Sequence, residues 1–310
     1  MTKPNLLAQK AVFEEFLART TYQLSSFSFV NIFTWKDFFD FEFKVIHDTL
    51  CVFASNSLGV FLYLPPLGEN ITKETIDACF DIMFKRNKGR GVSRIENVEE
   101  HDLALFSKKD YVLYKKSEEF VYCREDIALL RGNKYKSKRS SYNQFVRSGN
   151  HEFRPWEPNM QKACMDLYSA WANKRKADHA DDLYRTMIDE SRKAHEASLR
   201  YFKELGLVGR VVLMDKKLLA YTFGFPLTKD VFCVLHEIAD LDIKGLPTYI
   251  FKEFCADIEV RPFKFINVMD DFGLENIRKC PLNPVSNTRR MSCQERCKSG
   301  SIQNERICGF

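Results

Sequence analysis

Among its 310 residues the chain has no uninterrupted apolar run near the roughly 18 residues that a membrane-crossing helix needs. A helical membrane span is therefore not expected. It also lacks a G-x-S-x-G elbow, a G-x-x-x-x-G-K-[ST] loop and an H-E-x-x-H pair. Serine hydrolase, P-loop phosphoryl transfer and zinc protease chemistry each lose their sequence support. Ten cysteines are present, yet no two form a C-x-x-C pair. Cys51, Cys79, Cys164, Cys233 and Cys255 sit singly in apolar runs, where a free thiol behaves as a small hydrophobe. They point to a reduced, cytoplasmic protein. Cys280, Cys293, Cys297 and Cys308 could in principle gather round a zinc ion, but without paired spacing no metal site is expected. The start, Met1-Thr2-Lys3-Pro4, leads into an amphipathic helix rather than a signal sequence.

What is there is enough apolar material, 45% of residues, for two cores. The net charge is only +5 and unevenly placed. Between Arg124 and Asn150 seven cations (Arg124, Arg131, Lys134, Lys136, Lys138, Arg139, Arg147) face two anions (Glu125, Asp126), so this segment alone carries a net +5. Four regions follow: an amino-terminal domain over 1–123, a basic linking segment over 124–150, a second domain over 151–284, and a tail over 285–310. The tail is rich in Ser, Asn, Arg and Cys with no apolar period, and is expected to be disordered.

In the first region a helix is predicted over Lys10 to Thr20 and strands over Phe41 to His47, Thr49 to Ala54 and Gly59 to Leu64. Thr72 caps a helix reaching Lys85, and Gly91 to Asn97 and Tyr111 to Lys115 read as further strands. In the second, Gln161 to Lys176 and Leu183 to Phe202 have helical spacing. Val208 to Met214 and Leu218 to Phe225 form a hairpin about Asp215-Lys216-Lys217. A strand over Val231 to Ile238, a loop, a helix over Thr248 to Glu259 and a strand around Phe263 to Ile266 complete it. The class is α/β (α+β), with mixed sheets flanked by helices.

Candidate chemistry collects at strand ends. Asn267 to Lys279 joins Asp270 and Asp271 to Arg278 and Lys279 just after a strand, where ligands of open α/β sheets usually sit. The plainer reading is that either acid caps the next helix. His236-Glu237 ends a neighbouring strand with the two side chains on opposite faces, so one at most faces a cleft. His236 reads more readily as a core or surface histidine than as a catalytic base. Lys134, Lys136, Lys138 and Arg139, with Tyr135 and Tyr142 interleaved, could contact phosphates and stack on a base. Such charge runs also occur as solvated helix faces.

The hairpin, strand, loop, helix, strand order resembles the GNAT fold of acyl-CoA N-acyltransferases. The chain from about Ser25 to Pro284 resembles the phosphatidylglycerol lysyltransferase C-terminal family, a tandem GNAT arrangement related to Fem-type aminoacyl transferases. Four places carry the resemblance: Phe27 to Trp35; Leu130 to Arg139 with Asn143-Gln144-Phe145; His236 to Asp240 with Lys244-Gly245; and Asn267 to Lys279. It implies transfer of an activated acyl group, from aminoacyl-tRNA or acyl-CoA, onto an amine or hydroxyl of a small-molecule, lipid or peptide acceptor. In such an enzyme Asp271, Asp270, His236 or Glu237 would handle protons, and Lys134, Tyr135, Lys138, Arg139, Asn143, Lys244, Gly245, Arg278 and Lys279 would hold the donor. Gly245 alone does not make the repeated-glycine pyrophosphate loop of coenzyme A enzymes, which disfavours that donor. Relatives continue with a Ser-Tyr-x-Pro stretch and a closing basic strand or helix, whereas Cys280 to Pro284 is shorter and lacks the tyrosine. An RNA-binding protein without catalysis, or a structural or regulatory paralogue, are the readings from other classes.

Overall fold

Alternating and continuous apolar runs near the start pair as a meander of β1 (Asp40–Ile46), β2 (Thr49–Asn56) and β3 (Gly59–Leu62), with register Phe53↔Leu62 between the last two. The β1–β2 turn is His47-Asp48, both at positive φ (45° and 58°), the geometry that a right-twisted two-residue hairpin demands. This computed structural model describes residues 5–107, 109–178, 181–270 and 286–295. They fall into two compact units, one built mainly on Met1–Glu119 and the other mainly on Phe120–Met269.

In the first unit, α1 (Lys10–Leu17) and α2 (Phe29–Thr34) pack Phe13 against Phe29, ring centroids 6.1 Å apart. Ser28 caps α2 by accepting from the Asn31 N–H at 3.1 Å. A crossover helix, α3 (Lys73–Asn87), capped by Thr72 as expected, leads to β4 (Ile95–Val98), which runs parallel to β3. β5 (Tyr111–Cys123) is much longer than the predicted Tyr111 to Lys115.

The second unit begins with α4 (Arg124–Leu129) and α5 (Lys136–Val146), followed by β6 (His151–Pro155). The basic segment, read from sequence as a link, is thus folded structure inside this unit. Its apolar minority explains why: Ile127, Tyr135 and Phe145 are all core side chains. Next come α6 (Gln161–Asp178), α7 (Asp182–Arg200), β7 (Val208–Met214), β8 (Lys217–Pro226), β9 (Val231–Ala239), α8 (Leu246–Ala256) and β10 (Phe265–Asp270). The β7–β8 turn is Asp215-Lys216 alone, at φ 50° and 66°, and Lys217 is already in the strand. Strand order is β10-β9-β8-β7-β6, antiparallel except that β10 runs parallel to β9. This is the GNAT order anticipated from sequence.

Neighbouring residues on these strands serve opposite faces. Val211, Tyr221 and Ile238 pack with Cys164, Tyr168 and Ile188 of α6 and α7. Val212 and Ala239 pack with Phe145, Leu246 and Ile250 of α5 and α8. The sheet is therefore covered on both faces, and polar side chains placed within it are withdrawn from water.

One expectation is overturned. The tail beginning at 285 was read as disordered, but Ser286–Glu295 forms β11. It joins the first unit's sheet, in order β1-β2-β3-β4-β11-β5, with Met291 opposite Val98 and Cys293 opposite Ile95. Among its side chains Cys293 and its polar neighbour Ser292 are both buried, and Arg289 on the surface bonds Glu100 at 3.0 Å. Burial of two successive residues, one of them polar, leaves no apolar period to read. Cys280, Cys297 and Cys308 lie outside the described residues.

Candidate active site

The parallel ladder between β9 and β10 is brief, Phe265↔Val231, Ile266↔Phe232 and Asn267↔Cys233, after which β9 runs on to Ala239 without that partner. At the same level β9 bulges: Gly224 of β8 faces Val234, but Phe223 faces His236, leaving Leu235 extra. Gly224 permits this close approach, since a Cβ there would stand 2.4 Å from the Cys233 carbonyl oxygen. Bulges re-aim side chains, and they concentrate beside functional sites. Here the bulge sets Glu237 on the α5/α8 face and His236 on the α6/α7 face.

Glu237 is half-buried as a residue, but its Oε2 is out of reach of solvent and has no hydrogen-bond partner. Burial pushes its carboxyl up to about 8, and the ammonium of Lys138 pulls the other way. Lys138 is half-buried on α5, one turn before the inward-facing Tyr142 and two before Phe145. The ammonium of Lys138, on the basic helix, is thus within electrostatic reach of the Glu237 carboxyl on its strand. Directly across from Glu237 in the β8–β9 register stands Thr222, fully buried, its Oγ1 also without a partner. Sequence gave no signal for Thr222, because only the cross-strand register puts it beside the acid.

His236 faces the other way. Its ring stacks on His195 at 3.8 Å, and its Nε2 lies 2.9 Å from Ser198 Oγ. That hydroxyl donates to the Ala194 carbonyl, so it accepts from His236. Burial pushes the His236 imidazole down to about 3, and His195, bonded to the Tyr221 hydroxyl at 2.7 Å, is likewise lowered by burial and by its neighbour. Both are neutral side chains of a packed interface between β9 and α7, apart from Glu237.

The remaining candidates scatter. Lys134 pairs with Asp126 at 2.9 Å on the surface. Tyr135 is 2% exposed, so its ring offers no open face for a base to stack on. Arg139 donates to the carbonyls of Leu130 and Gly132, tying down a left-handed turn. Arg124 is similarly committed to the Phe263 and Cys255 carbonyls. Asn143 and Lys244 are exposed. Gly245 starts α8 at φ 83°, and the carbonyl oxygen of Ser141 lies against it, 2.1 Å from where a Cβ would be. Asp270 is in the first unit, accepting from Ser117 Oγ at 2.8 Å. Asp271, Arg278 and Lys279 lie outside the described residues.

Among the described residues there is no His, Cys, Asp and Glu group suited to a metal ion, and no helix long and apolar enough to cross a membrane. The fold is α/β of GNAT arrangement, with a buried carboxyl on β9 beyond its parallel pairing with β10. Residues 18–280 match the family "Phosphatidylglycerol lysyltransferase, C-terminal", and the chain belongs to it. The family supports an acyl or aminoacyl transferase.

Solved structures agree on the fold. A conserved protein of unknown function from Bacteroides thetaiotaomicron VPI-5482 is 26% identical, with 93% of this chain and 97% of that chain covered and a TM-score of 0.81. L-PGS from Bacillus licheniformis is 14% identical over 93% of each chain, TM-score 0.62. FemX is 9% identical over 91% of this chain and 95% of that one, TM-score 0.55. No match to the sequence is found among curated proteins.

Proposed function

We propose that this protein moves an aminoacyl group from aminoacyl-tRNA to an amine or hydroxyl acceptor, in a centre formed by Glu237 and Lys138. The observation that carries the reading is a carboxyl buried on the α5/α8 face of β9, beyond its pairing with β10, and within electrostatic reach of a lysine of the basic helix α5. The donor's phosphates lie along α5 and its flanks, where Lys136, Arg131 before it and Arg147 after it are exposed. The acyl carbon reaches inward toward Glu237. The acceptor's nitrogen or oxygen forms a bond to that carbon, the ester bond to the ribose oxygen breaks, and the acceptor's proton leaves on the ribose hydroxyl.

Ester rather than thioester donors suit this chain. Coenzyme A would place its diphosphate at a helix start, where backbone N–H groups attract anions. At α8 the start has a single glycine, Gly245, packed against the Ser141 carbonyl, rather than a repeated-glycine loop.

The test is transfer of labelled amino acid from a charged tRNA pool to phosphatidylglycerol vesicles and to free primary amines. Label should move to one of these acceptors in the presence of the protein, with tRNA binding that weakens as salt rises. Release of thiol from acetyl-CoA at a comparable rate would refute the ester donor. Salt-sensitive tRNA binding with no transfer would mean an RNA-binding protein instead.

A further inference from the structure

Thr222 and Glu237 are partners in the antiparallel register of β8 and β9, so their side chains leave the sheet side by side. Directly opposed Cβ atoms stand about 4.5–5.5 Å apart, close enough for one oxygen atom to touch both. Each ends in a buried oxygen, Thr222 Oγ1 and Glu237 Oε2, with no hydrogen-bond partner. Leaving such a group unsatisfied is costly, and native proteins seldom do so without a use. Here two of them stand on one cross-strand pair, and the Lys138 cation acts on the Glu237 carboxyl.

We propose that the hydroxyl of Thr222 and the carboxyl of Glu237 together donate hydrogen bonds to the acyl oxygen of the donor, holding the negative charge that develops there. The inference rests on the acyl-transfer reading above and goes beyond it by giving Glu237 a donor's role and Thr222 a role at all. When the acceptor attacks, the carbonyl π pair moves onto that oxygen. When the ester bond breaks, the pair returns and the C=O re-forms. Thr222 and Glu237 keep their protons throughout, and Lys138 adds positive charge. Burial supports this over a base: a carboxyl raised to about 8 is mostly neutral at pH 7, in the ratio of about ten to one, and a neutral carboxyl donates.

The two roles predict opposite behaviour of Glu237→Gln, which keeps a donor but cannot take a proton. If Glu237 donates, Glu237→Gln retains kcat within about tenfold and loses the alkaline fall in rate, whereas Glu237→Ala and Thr222→Val each lower kcat by about 10²-fold or more with KM little changed. Thr222→Ser restores the rate. Glu237→Gln as inactive as Glu237→Ala would overturn the proposal, as would Thr222→Val turning over at the wild-type rate while folded by thermal melting. Should the wild type transfer nothing from any aminoacyl ester, the transferase reading fails, and infrared difference spectra of wild type against Glu237→Gln judge the pair alone. A protonated carboxyl band at pH 6.5 sustains the donor assignment, and its absence overturns it.

Discussion

Gly245, at φ 83° in the capping position just before α8, packs its Cα against the backbone carbonyl of Ser141 so tightly that a Cβ would lie 2.1 Å from that oxygen. Backbone cannot swing aside as a flexible side chain can. Helices α5 and α8 meet through this glycine. Gly245→Ala combines left-handed strain with the clash, and should cost about 2–4 kcal/mol. Urea unfolding would measure the loss. A neutral result would mean that α5 can move off α8.

Lys138 reaches into the unit while Arg131, Lys136 and Arg147 are exposed. Lys138→Met should push the Glu237 carboxyl still higher, since the lysine is the charge holding it down. The alkaline limb of the rate profile would then move to higher pH. Lys136→Ala should leave that limb in place and lower the slope of log affinity for tRNA against log salt by about 1.

The stacked His195 and His236 are neutral when folded, and both titrate below their ordinary value. In the unfolded chain they charge near pH 6.5. Between that pH and about 3 the unfolded state therefore binds more protons than the folded one, and stability falls as pH falls. The fall should approach about 1.4 kcal/mol per pH unit for each histidine that stays neutral. Denaturation midpoints at pH 7 and pH 5 would show it, and His236→Gln should flatten the dependence.

Cys293 is fully buried in β11, between β4 and β5. Cys293→Asp puts a carboxylate into that interior and should destabilise the first unit by about 3 kcal/mol or more, visible in thermal melting. A disordered tail would accept the same change without effect.

Much of the fold was legible because periodic burial leaves its mark on sequence. The hairpin strand Val208–Met214 and the Thr72 cap appear where spacing put them. β11 was not legible, since burial of two successive residues, Ser292 and Cys293, one of them polar, leaves no apolar alternation to betray a strand. Lys138 and Glu237 were each visible as candidates, but a charge run and a strand end say nothing of lying within electrostatic reach of each other. Thr222, an unremarked polar residue in an apolar strand, had no sequence signal at all.

The sequence by itself determined which segments could be strands and helices, and that a basic stretch and several acids were available for chemistry, because burial period and charge are local properties. Tertiary structure alone decided which of them meet. A one-residue bulge at Leu235 turns Glu237 toward α5 and His236 away from it, and such a choice depends on the register of a neighbouring strand that no local pattern encodes.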